Sequence, residues 1–572
     1  MRILFLTHSF NSLSQRLWCE LTERGHAVSV EFDIGDAVAE EAVDLWHPDL
    51  VIAPYLKRAI PESIWSRLPC LIVHPGVVGD RGPSALDWAI QQGETRWGVT
   101  LLQATAEMDA GPVWATREFP MRAASKSSLY RNEVTEAAVA CVLEALDRFD
   151  DYRAGRWQPV PPERWPQARG QSRPLLRQAQ RAIDWQDDDC ATVLRKLQAA
   201  DGAPGVRSTL LGVPCRLFDA RAADRPVDAA PGSVVARRDD ALLLATRDGG
   251  VWIGHVQRLD QPDALKLPSA LALADVEACA MLPGVPVDTH GGALCYRETG
   301  DGRVGLLAFD FYSGAMGTQQ CRRLLAAIEA AKARPTRVLV LLGGEDFWSN
   351  GIDLRQIEHA DSPADESMRN IEAMDDVCAA LIETPRQWVI AALQGNAGAG
   401  GAFMSLAADE IHARRSVILN PHYKNMGNLY GSEYWTYLLP RRLGADGAQL
   451  LERRLPMTAQ QARRSGLVDR VVDADAPDFR AEVERYAETL AADGQFEHRL
   501  ADKNRRRAED EARKPLAAYR EEELNHMRRN FYGFDPSYHV ARWHFVRKSP
   551  ASWTPRHLAL HRDPQRAAER AA

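Results

Sequence analysis

The stretch Val389–Asp409, which reads VIAALQGNAGAGGAFMSLAAD, decides the fold of the second half of this 572-residue chain. Its first residues form an apolar run typical of a buried β-strand, and its last residues are small and helical in pattern. Four glycines lie in the turn between them: Gly395, Gly398, Gly400 and Gly401. Such a turn lets backbone N–H groups approach a ligand, and the helix N-terminus adds partial positive charge. The stretch therefore predicts a loop that favours negative charge on an oxygen, although a tight structural turn explains the glycines alone equally well.

A second glycine-containing loop, 343–354, reads GGEDFWSNGIDL and follows a buried strand pattern at 337–342. The two stretches together resemble the crotonase (enoyl-CoA hydratase/isomerase) superfamily, over roughly residues 290–490. The resemblance implies a ββα spiral with a helical C-terminal extension. It also implies that the N–H groups of Ile352 and Gly400 form an oxyanion hole for the carbonyl of an acyl-CoA thioester. The adjacent residues Gly351 and Gly401 are then expected to contribute to coenzyme A (CoA) binding.

This chain departs from the hydratases of that family at two carboxylate positions, which hold Phe403 and His422. Ordinary hydration of an enoyl-CoA is therefore not expected. The segment 420–437 is instead rich in side chains that can transfer protons, so Tyr423 and Glu433 are candidate catalytic residues, with His422 as a further candidate. An aromatic core with polar tips is an alternative explanation of the tyrosines.

Composition and charge exclude several classes of protein. A chain of 572 residues predicts several domains, and its net charge of −8 argues against a general nucleic-acid surface. No Cys-x-x-Cys spacing or Cys/His cluster occurs among the nine cysteines, so we expect reduced thiols, no metal site and a cytoplasmic location. The sequence shows no signal peptide, and no apolar stretch approaches the length of a membrane span.

The N-terminal part alternates short apolar strands with helical patterns, which predicts a parallel α/β sheet. Its first loop lacks Gly-x-Gly-x-x-Gly, so a dinucleotide site is not expected. Ligands of such sheets bind at the carboxyl ends of the strands, where the sequence places Tyr55, Lys57 and His74. A neutral imidazole can carry a proton there, although a His-Pro pair at a strand end is more often a structural turn.

Four segments in this part resemble the 10-formyltetrahydrofolate-dependent formyltransferases: His74-Pro-Gly, Arg81-Gly-Pro-Ser, Gly98-Val-Thr and Met108-Asp-Ala-Gly-Pro. That family uses an Asn-x-His pair and a later Asp. The resemblance implies that His74 and Asp109 are catalytic and that folate binds near Tyr55 and Lys57. Ile72 occupies the Asn position, so formyl transfer is expected to be slower or to use a donor from another loop.

The sequence predicts four regions. Residues 1–165 are a formyltransferase-like folate-binding domain, and residues 166–282 resemble the small β-barrel at the C-terminus of formyltransferases. Residues 283–550 are a crotonase-like CoA-binding domain with C-terminal helices, and residues 551–572 form a loose tail. A charged helix pattern covers 501–529, where the basic cluster 503–507 either contacts CoA phosphates or forms a solvated helix face.

Together the two modules resemble a family of nickel-iron hydrogenase maturation factors. The resemblance implies synthesis of carbon monoxide from 10-formyltetrahydrofolate, with proteins that assemble the iron centre as candidate partners. Formyl-CoA is the simplest product that links a one-carbon site to a thioester site. One alternative is formyl transfer to an amine together with a separate acyl-CoA lyase or isomerase activity. Another is an inactive scaffold that binds folate or a hydrogenase subunit.

Overall fold

The computed structural model describes residues 1–285, 292–444 and 447–563. These residues form two compact units. The first unit contains residues 1–285 and 550–563, and the second contains residues 292–549. In the described part of the chain, no helix combines the length and hydrophobicity needed to cross a membrane.

The first unit begins with a six-stranded sheet in the order β2-β1-β3-β4-β5-β6. The first four strands are parallel, as predicted, and the last two are antiparallel to their neighbours. The strands are β1 (Arg2–Thr7), β2 (Ala27–Phe32), β3 (Leu50–Ala53), β4 (Cys70–His74), β5 (Arg96–Gln103) and β6 (Val113–Pro120). The helices are α1 (Ser12–Glu23), α2 (Asp36–Trp46), α3 (Glu62–Trp65), α4 (Ala85–Gln92), α5 (Lys126–Leu129), α6 (Thr135–Asp147) and α7 (Phe149–Arg153). Because β2 and β3 lie on opposite sides of β1, the switch point of the sheet is at the carboxyl ends of β1 and β3.

A second, antiparallel sheet follows in the order β7-β8-β11-β10-β9, with β12 paired to β11. Its strands are β7 (Val206–Leu210), β8 (Val213–Ala222), β9 (Val234–Arg238), β10 (Ala241–Ala245), β11 (Gly250–Arg258) and β12 (Lys266–Pro268). The helices are α8 (Gln178–Arg181), α9 (Cys190–Ala200), α10 (Ser269–Ala272) and α11 (Glu277–Ala280). Helix α9 buries Val193 and Leu197 in the core that it shares with this sheet. This packing covers one face of the sheet.

The segment 550–563 returns to the first unit and lies along the edge strand β2. The backbone N–H of Val30 donates to the carbonyl oxygen of Leu558 (3.0 Å), and the N–H of Phe32 donates to the hydroxyl of Thr554 (2.8 Å). The structure therefore differs from the expected loose tail over this segment, because the exposed N–H groups of an edge strand find partners in it. Residues 564–572 of the predicted tail lie outside the described residues.

A buried ion pair fastens the same segment to β2. The Nε2 atom of His561 lies 2.9 Å from Oε2 of Glu31, and its Nδ1 lies 2.7 Å from the hydroxyl of Ser29. Arg562 contacts the same carboxylate at 2.7 Å. Burial alone would raise the pKa of Glu31, but hydrogen bonds from His561, Thr554 and Arg562 hold this pKa below its usual value. The carboxylate is thus kept charged inside the protein.

Replacing His561 by alanine is expected to loosen this segment, because Glu31 would lose one of its buried partners. A hydrogen bond to a charged group contributes about 1.5–3 kcal/mol, so the amides of Val30 and Phe32 should exchange hydrogen about 10- to 100-fold faster. Hydrogen exchange measured by mass spectrometry or NMR checks this. The control is His498→Ala, whose side chain is 76% exposed. Unchanged protection of Val30 and Phe32 would show that the pair does not hold the segment.

The second unit is built from two sheets, in the orders β13-β14-β15-β17-β19-β22 and β16-β18-β20-β21. The strands are β13 (Leu294–Thr299), β14 (Val304–Phe309), β15 (Val338–Leu342), β16 (Phe347–Ser349), β17 (Trp388–Leu393), β18 (Asn396–Gly398), β19 (Glu410–Arg414), β20 (Ile418–Asn420), β21 (Met457–Thr458) and β22 (Arg470–Val472). Consecutive strands from β15 to β20 alternate between the two sheets, which is the predicted ββα spiral.

Helices follow the strand pairs and extend the second unit at its C-terminal end. They are α12 (Thr318–Lys332), α13 (Leu354–His359), α14 (Pro363–Ile382), α15 (Gly400–Leu406), α16 (Trp435–Leu443), α17 (Gly447–Arg453), α18 (Ala459–Ser465), α19 (Ala476–Ala492), α20 (Phe496–Arg513), α21 (Leu516–Tyr532) and α22 (Ser537–Arg547). The strand expected at 388–393 and the helix expected after the glycine turn are both confirmed.

The charged pattern at 501–529 forms two helices, α20 and α21, instead of the single helix that was predicted. Lys514, between them, has extended backbone angles because a following proline disfavours the helical conformation. Lys503 of the basic cluster is buried and its ammonium lies 2.6 Å from a carboxylate oxygen of Asp409. Arg507 pairs with Glu511 one turn along the same helix. Lys503 is therefore buried in an ion pair and does not lie on the solvated helix face that was one of the two expectations for this cluster.

Candidate active sites

The first candidate site is centred on His74, the last residue of β4, whose imidazole is buried. Its Nδ1 lies 3.6 Å from Oδ2 of Asp109, and its Nε2 lies 3.8 Å from Oδ2 of Asp80. In the described part of the chain, Nε2 has no hydrogen-bond partner. A side chain at Gly76 would overlap the imidazole, so glycine is required beside it. His74 is therefore placed between two carboxylates that can stabilise its charged form.

Each of the two carboxylates at this site is held by its own partner. Oδ2 of Asp109 accepts the backbone N–H of Gly82 at 3.1 Å, and Asp109 itself has a left-handed backbone with φ of 53°. Oδ1 of Asp80 lies 3.0 Å from the guanidinium of Arg173. The sequence reasoning missed Asp80, although it immediately precedes the Arg-Gly-Pro-Ser segment used for the family resemblance. The signal available in the sequence was an acidic residue next to a predicted site segment.

Tyr55 and Lys57 lie in the loop after β3, at the switch point of the sheet. The carbonyl oxygen of Tyr55 accepts the N–H of His8 at 2.7 Å, and the N–H of Lys57 donates to Oδ2 of Asp33 at 3.1 Å. The other oxygen of Asp33 lies 2.8 Å from Nδ1 of His8. The ring of Tyr55 makes edge contacts with His8 and Tyr130. Because β3 and β4 are neighbours, this loop and His74 share one edge of the sheet.

Ile72 occupies the position of the expected asparagine, two residues before His74 in β4. It pairs with Ala53 of β3 and Leu102 of β5. Its aliphatic side chain has no hydrogen-bonding group, so any donor to an oxygen of the substrate must come from elsewhere.

The second candidate site lies where the two glycine-containing loops of the second unit meet. Gly351 has φ of 78°, a conformation that favours glycine, and a side chain there would lie 3.1 Å from the nitrogen of Gly400. A side chain at Gly401 would overlap the carbonyl of Ser349. Among the hydrogen bonds of the described residues, none uses the N–H of Ile352 or of Gly400 as a donor. These two N–H groups are therefore available to a ligand.

Tyr423 and Glu433 are brought together beside these loops. The hydroxyl of Tyr423 donates to Oε2 of Glu433 at 2.5 Å, and both side chains are buried. The other carboxylate oxygen of Glu433 lies so close to Gly400 that any side chain there would overlap it. The ring of Tyr423 stacks on Phe403, with 4.8 Å between centroids. His422, the third candidate, is also buried, and its N–H donates to the carbonyl of Asn420 at 2.8 Å.

Comparisons with known proteins match three family models along the chain. Residues 1–146 match the formyl transferase family, residues 175–264 match the C-terminal domain of formyl transferases, and residues 314–554 match the enoyl-CoA hydratase/isomerase family. The hydrogenase maturation factor HoxX of Bradyrhizobium diazoefficiens is 56% identical over 98% of this chain and 97% of its own length. This chain belongs to the HoxX/HypX family of hydrogenase maturation factors.

Solved structures of HypX from Aquifex aeolicus have the same fold. One of them, a complex with tetrahydrofolic acid, is 47% identical, covers 98% of this chain and 99% of its own, and has a TM-score of 0.93. The methionyl-tRNA formyltransferase of Ralstonia nicotianae is 27% identical over 41% of this chain and 70% of its own length. As a HoxX/HypX protein, the chain is a hydrogenase maturation factor with formyltransferase and crotonase domains.

This HoxX/HypX chain carries two further buried carboxylates behind Glu433. Oδ1 of Asp375, on α14, accepts the N–H of Glu433 at 2.8 Å, while Glu523, on α21, accepts the N–H groups of Tyr434 (2.9 Å) and Thr436 (2.8 Å). Burial, reinforced by the charge of Asp375, raises the pKa of Glu433 to about 8. Burial likewise raises the pKa of Asp375 to about 7 and that of Glu523 to about 8.

The sequence reasoning missed Asp375 and Glu523, although a signal for each was present. Asp375 lies on the apolar face of α14, one turn after Ile371 and before Cys378, and is fully buried. Glu523 lies on α21 next to the buried Leu524. An acidic residue at an apolar-stripe position of a helix is costly to bury unless it is hydrogen-bonded.

Proposed function

We propose that this chain makes carbon monoxide from 10-formyltetrahydrofolate and CoA in two steps, for the maturation of nickel-iron hydrogenase. The first unit transfers the formyl group to CoA, and the second releases carbon monoxide from formyl-CoA. The observation that carries the proposal is the Tyr423–Glu433 pair against Gly400, in a crotonase fold that lacks the hydratase carboxylates. A cytoplasmic location is part of this proposal, since the sequence has no Cys-x-x-Cys spacing or Cys/His cluster.

In the first step, His74 carries the proton. The sulfur of CoA bonds to the formyl carbon while the thiol proton moves to the imidazole, and the same proton passes to the folate nitrogen as the carbon–nitrogen bond breaks. Asp109 and Asp80, at 3.6 and 3.8 Å from the ring nitrogens, stabilise the charged imidazole between these events. Tyr55 and Lys57 are proposed to bind folate at the adjacent strand end.

In the second step, the N–H groups of Ile352 and Gly400 bind the carbonyl oxygen of formyl-CoA and make the formyl hydrogen more acidic. The carboxylate of Glu433 takes this hydrogen as a proton, the carbon–sulfur bond breaks, and its electron pair leaves with the sulfur. The hydroxyl of Tyr423 then protonates the thiolate. The proton on Glu433 returns to Tyr423 along their 2.5 Å hydrogen bond, so carbon monoxide and CoA are the only products.

Gly400→Ala is expected to slow the second step about 100-fold or more, because the new methyl group would overlap the carboxylate of Glu433 and displace the proposed base or the N–H group of residue 400. The measurement is carbon monoxide release from supplied formyl-CoA, detected by binding to haemoglobin. Gly494→Ala is the matched control, since no described atom lies within 4 Å of a side chain placed there. Equal rates of carbon monoxide release for the two variants would show that Gly400 has no role in the second step.

The proposal as a whole is tested by giving CoA-free protein 10-formyltetrahydrofolate with and without CoA. Carbon monoxide formed only when CoA is present supports it. A stable N-formyl product on an added amine, with no carbon monoxide, would instead support a formyltransferase with a separate acyl-CoA activity. No turnover of either kind would leave the inactive scaffold as the explanation.

A further inference from the structure

We propose that Asp375 and Glu523 are positioning residues for the second reaction, which fix the carboxylate of Glu433 against Gly400 and control its proton uptake through their own charge. This inference rests on the proposed function where it names Glu433 as the base. The predicted effect of Asp375 and Glu523 on the ionisation of Glu433 can be tested without turnover, because the titration of Glu433 can be observed directly.

The backbone at Glu433 requires support from its surroundings. Glu433 and Tyr434 have φ of 60° and 57°, and two consecutive non-glycine residues rarely adopt this left-handed conformation. The N–H of Glu433 donates to Asp375 at 2.8 Å, and the N–H of Tyr434 donates to Glu523 at 2.9 Å. Each strained residue thus has its N–H held by one of the two carboxylates. These two hydrogen bonds support the left-handed backbone from which the side chain of Glu433 reaches Gly400.

Ser432 connects the two carboxylates to each other. Its hydroxyl oxygen lies 2.8 Å from Oδ2 of Asp375 and 3.3 Å from Oε2 of Glu523. A hydroxyl has one hydrogen, so it can satisfy both contacts only when one of the two carboxyl groups carries a proton. The geometry therefore favours a shared proton behind Glu433.

The charges around Glu433 are unbalanced. Arg520 approaches the cluster, with its Nε 3.9 Å from Asp375, but it also pairs with Asp376 at 2.7 Å. Among the ion pairs of the described residues, only that of Arg520 with Asp375 reaches these three buried carboxyl groups, and this lack of positive charge favours proton uptake. Besides Asp375, Glu433 and Glu523 themselves, the titratable and charged groups that face this cluster from the surrounding elements are Cys321, Asp376, Cys378, Tyr423, Tyr430, Tyr434 and Arg520.

The sign of the expected pH effect follows from these charges. A carboxylate base works only when ionised, so the rate of carbon monoxide release should rise with pH through the raised pKa of Glu433, about 8. Removing the negative charge of Asp375 makes ionisation of Glu433 easier. The rise in rate should then move to lower pH.

The test is Asp375→Asn, which keeps an oxygen acceptor for the N–H of Glu433 but loses the charge. The midpoint of the pH–kcat curve is expected to fall by about one unit with KM little changed, since one nearby charge shifts a pKa by about 1–3 units. Glu372→Gln, on the half-exposed side of the same helix, is the matched control and should leave the midpoint in place. Glu523→Gln is a second variant for which the same downward direction is expected.

A direct titration separates this inference from the proposed function. Carbon-13 NMR of protein labelled at the glutamate carboxyl carbons, with the signal of Glu433 assigned by its loss in Glu433→Gln, should show the same downward shift in Asp375→Asn. This result supports the inference even if wild-type protein releases no carbon monoxide, an outcome that would overturn only the proposed function. An unchanged Glu433 midpoint in both Asp375→Asn and Glu523→Gln, or an equal shift in Glu372→Gln, would overturn the inference.

Discussion

Glu433→Gln is expected to stop carbon monoxide release while formyl transfer to CoA continues, so that formyl-CoA accumulates. The amide has nearly the shape of the carboxyl group and can still accept the hydrogen bond of Tyr423, but it cannot take up the formyl proton. Loss of a general base costs typically about 10²- to 10⁴-fold in rate. Carbon monoxide measured with haemoglobin and formyl-CoA measured by mass spectrometry give the two readouts.

The matched control for this variant is Glu452→Gln, also in the second unit. The side chain of Glu452 is 65% exposed and pairs with Lys424 at 3.0 Å. It should retain the wild-type rate, because exposed ion pairs contribute little to stability. Carbon monoxide release by Glu433→Gln at the rate of this control would exclude Glu433 as the base.

His74→Asn is expected to slow formyl transfer to CoA while carbon monoxide release from formyl-CoA continues, which is the opposite of the result for Glu433→Gln. Carbon monoxide formation from 10-formyltetrahydrofolate should fall about 10²- to 10⁴-fold, because the imidazole can no longer carry the thiol proton to the folate nitrogen. Release from supplied formyl-CoA should continue, since that step uses residues of the second unit only. The two substrates, measured on the same preparation, give the comparison.

His47→Asn is the control for this second prediction. His47 is exposed after α2 and has φ of 47°, a conformation that asparagine tolerates. The same substitution at this position should leave both activities at wild-type rates. If His74→Asn instead lost both activities equally, the division of the reaction between two sites would be wrong.

Local structure in the second unit could be predicted closely from the sequence. The strand Trp388–Leu393 and the helix after the glycine turn follow from an apolar run, a cluster of glycines and a run of small residues, all of which act over a few positions. The approach of Gly351 to Gly400 could be inferred only through the family resemblance. Its physical cause is the pairing of β16 with β18, which joins residues about fifty positions apart.

Contacts between residues far apart in the chain could not be predicted from sequence patterns. Asp375 meets Glu433 across 58 positions, and His561 meets Glu31 across 530 positions. Neither contact produces a periodic pattern in the sequence, because each depends on how the helices and strands pack in the folded protein. The prediction of a single helix at 501–529 was wrong for a local reason, since Pro515 interrupts an otherwise continuous charged pattern.

In the proposed reaction, one carbon atom moves from folate to CoA and then leaves as carbon monoxide. The most direct test is a single turnover with 10-formyltetrahydrofolate labelled with carbon-13 in the formyl group, followed by mass spectrometry of quenched samples. We expect the label to appear first in formyl-CoA and then in carbon monoxide, with the first signal declining as the second rises. Labelled carbon monoxide formed in the absence of CoA, or labelled formyl-CoA that never yields the gas, would contradict the account.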